Sequence, residues 1–248
     1  MNARFMDLTL DDPFSNLAAE EAIFRLNSLP TLRVWDNQLS VVIGRAQLAL
    51  YETDLEFCDT HAVPIIRRFT AGGSVYNGPG NLNWSFLAPR SSEHARIRYV
   101  NEPGSVFSTF AALVVEALAA CSVECKFVPP NRLETEEGKV SGMAAYLSKE
   151  RIICHGTLLL DADLEQVARL TTPSASNPAT RYPRSNSMRV ANTRVGRDEL
   201  VNSLRKIAEA ESDHRAMTPE EEELTRALRT RYVQTQWNLG DPFRLDNP

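Results

Sequence analysis

The sequence predicts an α+β fold, with mixed β-sheets flanked by helices. Three observations carry that reading. Short β-branched or aromatic runs come in adjacent pairs, helical segments fall between those pairs, and neither an internal repeat nor a Pro/Gly/Ser-rich linker divides the 248 residues. Strict strand–helix alternation, the mark of a doubly wound sheet, is missing. A chain of this length fits one domain, so 1–248 is expected to form a single unit.

Residues 4–10 alternate weakly and read as an opening strand. Asp12-Pro13 leads to Ser15, read as the N-cap of a helix over 16–27 that gathers Leu17, Ala18, Ile23 and Phe24 on one side. Runs 31–35 and 40–43, parted by Asp36-Asn37, read as a hairpin. Further strands are expected at 64–69, at 82–87 after a glycine-rich connection, and at 123–128 before Pro129-Pro130. The clearest helix covers 105–120, where Val106, Phe110, Leu113, Ala117 and Leu118 share one face. Strands 140–147 and 152–160 flank a polar turn, and a short helix follows at 163–170. The stretch 171–189, rich in Pro, Ser, Asn and Thr, reads as a mobile surface loop. A helix over 197–210 comes next. The last one starts at Thr218, where Thr218, Pro219 and the acidic run 220–223 supply a cap, an N1 proline and dipole-matched charge.

Composition narrows the function. With 43% hydrophobic and 24% charged residues the chain is ordinary globular protein, and its net charge of -5 speaks against nucleic acid as a partner. The first residues are too acidic for a signal peptide, and no apolar run reaches the roughly 20 residues of a membrane helix, so a cytoplasmic location is expected. The four cysteines, at 58, 121, 125 and 154, contain no CxxC pair and read as reduced thiols.

One segment stands out: Arg67-Arg68-Phe69-Thr70-Ala71-Gly72-Gly73-Ser74-Val75-Tyr76-Asn77-Gly78-Pro79-Gly80-Asn81. Four of the eleven glycines lie in nine residues of it. Glycines let consecutive N–H groups converge on an anion, and the two arginines add charge in a forked geometry. A tight β-connection with a surface arginine pair would read the same way. No Gly-Lys-Ser/Thr follows, so this is not a Walker loop. A second element, Gly138-Lys139-Val140-Ser141-Gly142-Met143-Ala144, sets a lysine among small residues where it can reach an anion held against the backbone. A third is His155-Gly156-Thr157. A histidine on a strand is more often a packed residue than a catalyst.

Taken together and in order, these segments resemble the lipoate–protein ligase A family, within the wider group of biotin and lipoate transfer enzymes. Asn16-Leu17-Ala18 with Glu21-Ala22 is similar to the family's first helix, and Val41-Val42-Ile43-Gly44-Arg45-Ala46-Gln47 to its Gly-Arg-x-Gln strand end. The segment 67–81 resembles its Arg-Arg and glycine-rich loop, Gly138 to Ala144 its Lys-Val/Ile-Ser-Gly-x-Ala motif, and 155–160 with Asp163-Leu164 its His-Gly-Thr-Leu-Leu strand. Tyr232 with Trp237-Asn238 and Gly240 is similar to its closing motif.

The resemblance implies a biotin/lipoate protein ligase (BPL/LPL) catalytic-domain fold and a two-step reaction. Lipoate, or octanoate, is activated by ATP with Mg²⁺ to an acyl-AMP, and the acyl group passes to a lysine of a lipoyl carrier domain. Lys139 would be catalytic. Arg68 and the Gly72, Gly73, Ser74, Val75 and Tyr76 segment would cradle phosphate and acyl carbonyl, with Asn81, Asn131 and Thr157 as polar contacts. The family's C-terminal accessory domain is expected to be missing, because the chain stops eight residues after Gly240, and to come from a separate polypeptide.

Three positions depart from the pattern. Ala71 stands for a glycine and is tolerated only at negative φ. Asn77 stands for a histidine, and Arg132 for the aspartate that helps hold Mg²⁺; a guanidinium there repels the ion or replaces one of its charges. Tyr76-Asn77-Gly78-Pro79-Gly80 also resembles a stretch of the octanoyltransferases, which need no ATP and use a cysteine thioester. Cys125 would be that nucleophile, although by itself it reads as a small apolar strand residue. A non-catalytic lipoyl-domain binding protein is the third reading. No Gly-Arg-Gly-Arg loop of a biotin ligase is present.

Overall fold

The structure, a computed structural model, describes residues 3–92, 103–176, 181–210, 212–213 and 216–245. Strand β1 (Arg4–Asp7) leads into helix α1 (Pro13–Leu26), then β2 (Thr31–Trp35), β3 (Ser40–Ile43), α2 (Leu55–Thr60), β4 (Ile65–Arg67), β5 (Val75–Asn77) and β6 (Asn81–Pro89). Helix α3 (Pro103–Ala120) precedes β7 (Lys126–Val128), β8 (Arg132–Glu134), β9 (Lys139–Leu147) and β10 (Arg151–Leu159). The later elements are the helices α4 (Leu164–Leu170), α5 (Arg197–Ile207), α6 (Pro219–Tyr232) and α7 (Thr235–Leu239), plus the two-residue strand β11 (Ser212–Asp213).

Two sheets result. The larger runs β11-β1-β2-β6-β10-β9-β8-β7 and mixes parallel and antiparallel pairs; the smaller runs β4-β3-β5. The predicted α+β class stands, but the hairpin at 31–43 does not form. Strand β2 pairs with β1 and β6 in the large sheet, whereas β3 pairs with β4 and β5 in the small one. The polar link between them carries the chain from one sheet to the other, and Arg197 fixes it by binding Asp36 and Asp7, each at 2.7 Å.

Side-chain alternation along β6 and β10 organises the interior. Trp84, Phe86 and Cys154 face α3 and α5, joining Leu32, Phe110, Val114, Leu200 and Leu204 in the main core. On the other face Leu87 and Ile153 meet Ile23 and Phe24 of α1. That helix also buries Leu17, Ala18 and Ala22 against Val42 and Ile66 of the small sheet. Held between two sheets, α1 is apolar or paired all round rather than on the one side its sequence suggests. Its cap is Asp12, not Ser15: Asp12 Oδ1 accepts the Ser15 amide at 3.0 Å, with Pro13 following at the first helical position. Thr218 caps α6 as expected, in a reciprocal capping box with Glu221.

The strands expected at 123–128 and 64–69 shrink to β7 and β4, and β5, β8, α2 and α7 arise where the pattern gave no sign. All four cysteines are free. Among the described residues no helix is long and apolar enough to cross a membrane.

Candidate active site

The glycine-rich segment does not close a hairpin; it runs from the small sheet across the face of the large one. Its two arginines separate completely. Arg67 turns inward and donates to six backbone carbonyls, those of Gly44, Arg45, Gln47, Trp237, Asn238 and Gly240. Trp237 Nε1 donates back to the Arg67 carbonyl at 2.8 Å, and the Arg67 amide donates to Asn238 Oδ1 at 2.9 Å. The Gly-Arg-x-Gln and closing motifs are therefore the clamp around β4, and Arg67 is structural rather than an anion ligand.

Arg68 turns the other way. Its Nε donates to Thr70 Oγ1 at 3.0 Å and Nη2 to the Ala71 carbonyl at 2.6 Å, while burial lowers its pKa to about 10 against the support of Glu20 and Glu52. Gly72 sits at φ +98, and a Cβ there would fall 2.8 Å from Arg68 Nη2 and 3.0 Å from Ala144 Cβ, so only glycine lets this turn approach β9. Ala71 is not among the non-glycine residues at positive φ and meets its condition.

A cavity of about 460 Å³, the size of a small-molecule site, opens beneath this turn. Arg68, Gly73, Ser74, Val75, Tyr76, Asn131, Lys139 and Thr157 all line it, whereas Gly72, expected among them, shapes the turn from outside the lining. Lys139 opens β9 and folds back over Gly142: a Cβ on Gly142 would lie 3.1 Å from Lys139 Nζ and 3.9 Å from Val75 Cγ1. The amine and Val75 of the glycine-rich segment therefore lie over the same side of Gly142, where a Cβ would crowd the amine by a few tenths of an ångström. Burial, with Arg132 adding to it and Glu134 opposing, holds the amine below the ordinary lysine value. Asn131 Nδ2 donates to the Met143 carbonyl at 2.7 Å and returns its own carbonyl to the Met143 amide. Thr157 stands opposite Asn83 on the cavity side of β6 and β10.

Three further expectations change. Asn81 is not in the lining; its Nδ2 donates to Asn77 Oδ1 at 3.3 Å behind the wall, and Asn77 and Asn83 face the cavity instead. Cys125 is also outside. Its thiol packs against the main core, and burial pushes its pKa up to about 11, which suppresses the thiolate a thioester mechanism needs. The stretch 171–189 is more than a surface loop: Ser185 Oγ accepts the Ser74 amide at 2.7 Å and lies 2.9 Å from Ser74 Oγ. The Ser185 amide and Ser74 Oγ both donate to Glu52. The described part of this stretch therefore straps across the glycine-rich segment; residues 177–180 lie outside the described residues.

Nothing in the sequence pattern points to Glu52 or Ser185, whereas His155 is the packed, hydrogen-bonded strand residue expected of it. Glu20 Oε1 accepts His155 Nδ1 at 2.8 Å and the Ser85 hydroxyl; His155 Nε2 lies 2.7 Å from Thr70 Oγ1, which accepts Arg68. Burial opposes charge on Glu20, but His155, Ser85 and Arg33 outweigh it and lower the pKa. Glu20, His155, Thr70 and Arg68 thus form one hydrogen-bonded chain beside the cavity. Only the pairing of His155 with Ser85 across two strands, invisible without the register, reveals this chain. Beyond it the wall is apolar, with Leu17, Val42, Met143 and Leu159 and the indole of Trp35.

A divalent metal does not fit the residues present. Among the described residues no three His, Cys, Asp or Glu side chains cluster, Glu20 and Glu52 are already engaged, and position 132 carries a guanidinium.

A family model described as the lipoyl protein ligase A/B catalytic domain matches residues 12–206. The chain belongs to that family. Lipoate–protein ligase 1 of Staphylococcus aureus is 28% identical over 247 residues, covering 93% of this chain and 71% of its own. The lipoate–protein ligase A subunit 1 of Thermoplasma acidophilum is 30% identical over 247 residues, covering 91% of both. Among solved structures, a bi-partite lipoate protein ligase of T. acidophilum with its E2 lipoyl domain superposes at TM-score 0.81 with 26% identity, covering 97% of each chain. A T. acidophilum protein solved with lipoic acid gives 0.79 with 27% identity, covering 97% and 100%. A lipoate–protein ligase A bound with ATP gives 0.81 with 27% identity, covering 97% and 99%. The lipoyl protein ligase fold is thus common to all of them, and this chain is an enzyme of the lipoate–protein ligase kind.

Proposed function

We propose that residues 1–248 act as one catalytic domain that activates lipoate, or octanoate, with ATP and passes the acyl group to a lysine of a lipoyl carrier domain. The observation that carries this reading is that the Lys139 amine, the Arg68 guanidinium and the turn from Gly73 to Tyr76 line a single cavity that also carries the apolar side chains Leu17, Val42, Met143 and Leu159. An anionic head and a hydrocarbon tail need both kinds of surface. Relatives solved with lipoic acid and with ATP support both ligands.

In the first step a carboxylate oxygen bonds to the α-phosphorus while the bond to the bridging oxygen breaks, releasing pyrophosphate. Lys139 holds carboxylate and α-phosphate together and offsets their repulsion, which a group gaining strength as charge develops does best. Arg68, locked by Thr70 and Ala71, presents the rest of its fork to the same oxygens. In the second step the carrier lysine bonds to the acyl carbon, the carbon–oxygen bond to AMP breaks, and the amine loses its proton. Asn131, Asn83 and Thr157 are the polar contacts available to the nucleotide.

The carrier domain is the partner this reading requires, and a second polypeptide, in the manner of the bi-partite T. acidophilum ligase, is a partner that would raise the rate of activation. Release of pyrophosphate from ATP with free lipoate, with and without a lipoyl domain, tests it. ATP-dependent modification of the domain supports the ligase; transfer from an acyl thioester without ATP, lost in Cys125→Ser, would replace it with the transferase.

A further inference from the structure

Strand β8 brings a second cation to the lysine. Arg132 pairs with Gly142 across β8 and β9, so both residues present the same face of the sheet. Lys139 Nζ lies over that same position, 3.1 Å from where a Cβ on Gly142 would be. The guanidinium and the ammonium therefore share one corner of the cavity, which both line.

Their charges are not balanced within the protein. Arg132 spends its Nε on Glu134 at 2.5 Å, and its two terminal nitrogens have no partner among the described residues. Lys139 Nζ has no hydrogen-bond or ion-pair partner among the described residues either, although the residue is half-buried. One carboxylate thus faces two cations. Like charges held together out of water are unfavourable unless an anion joins them. Arg132 is one of the causes, after burial, that hold the lysine amine below its usual value.

Taking the ligase reading as given, we infer that Arg132 binds the phosphate chain beyond the α-phosphate, so that a guanidinium takes the place of a protein-held divalent cation. Its free fork matches two phosphate oxygens at once, a geometry lysine cannot supply. The same cation then neutralises the departing pyrophosphate. Among the described residues no cluster of three His, Cys, Asp or Glu side chains stands at this corner to hold a cation, which is the other half of the same arrangement.

The test compares ATP affinity by calorimetry in EDTA and in Mg²⁺ for the wild type, Arg132→Gln and Arg132→Lys, with circular dichroism to establish folding. Wild type is expected to bind ATP in EDTA. Arg132→Gln should weaken that binding about tenfold or more, as loss of a charge-assisted fork requires. Arg132→Lys keeps the charge and is expected between the two, which keeps the test decisive if the glutamine variant folds poorly. A lipoyl-sulfamoyl adenosine, which ends at the α-phosphate position, should bind all three proteins alike. ATP binding by the wild type only with Mg²⁺, or equal ATP affinity of the folded variants in EDTA, overturns the inference. If wild type binds neither ATP nor the adenylate analogue, the ligase reading itself falls and takes the inference with it.

Discussion

Lys139 carries its charge where burial and Arg132 both work against it, and it stays there because Gly142 leaves room. Replacing the amine, in Lys139→Ala, should lower acyl transfer by about 10²-fold or more while thermal unfolding stays near wild type, as expected for loss of one transition-state donor. The sign of the pH effect follows from the depressed pKa. The lysine loses its proton at a lower pH than an ordinary side chain, so affinity for an acyl-adenylate analogue should fall on an alkaline limb that begins below 10.5, the unperturbed value. Lys139→Ala should bind weakly at every pH and show no such limb in a fluorescence titration. Gly142→Ala is a finer probe. A methyl group there meets the amine at 3.1 Å and must push it aside, so turnover should drop while the denaturation midpoint shifts little, the strand itself accepting alanine. An unchanged turnover in Gly142→Ala would show that the amine acts from somewhere else.

At the scale of elements, β4 and the strap from 181 to 189 hold the glycine-rich segment from opposite sides. Arg67→Met should destabilise the protein by about 3 kcal/mol or more in urea unfolding, because six buried carbonyls lose one shared donor. The strap predicts something gentler. Ser185→Ala removes the acceptor of the Ser74 amide, and that amide should exchange with solvent faster than in the wild type, with global stability changed by about 1 kcal/mol or less. These elements also mark where the sequence could be read. The face of α3, the capping of α6 and the strand pair around 148–151 are local patterns, and they appear as written. The sheet to which β3 belongs is decided by pairing with β4 and β5 far along the chain, which no local turn signal reports. Arg67 and Arg68 look alike as neighbours; only the clamp of Trp237 and Asn238 around the first assigns them opposite roles.

For the whole molecule, the two sheets and the helix between them form a cleft lined by the cations Arg68, Arg132 and Lys139 and by apolar side chains such as Leu17, Val42 and Met143. The cationic part was legible in Arg68, Gly73 to Tyr76 and Lys139, since charge and glycine content are properties of the sequence itself. The wall behind it was not. Glu20, Trp35 and His155 come together through strand register and the packing of α1, and Asn81 left the lining because its partner Asn77 sits between. The most direct test of this assembly is a single-turnover experiment with ATP, lipoate and an isolated lipoyl domain, following pyrophosphate release and the mass of the domain. Wild type should release pyrophosphate and add one lipoyl group to one lysine, and Lys139→Ala, still folded, should do neither. Modification of the domain at the wild-type rate by Lys139→Ala, or by the wild type with ATP left out, would contradict the assignment.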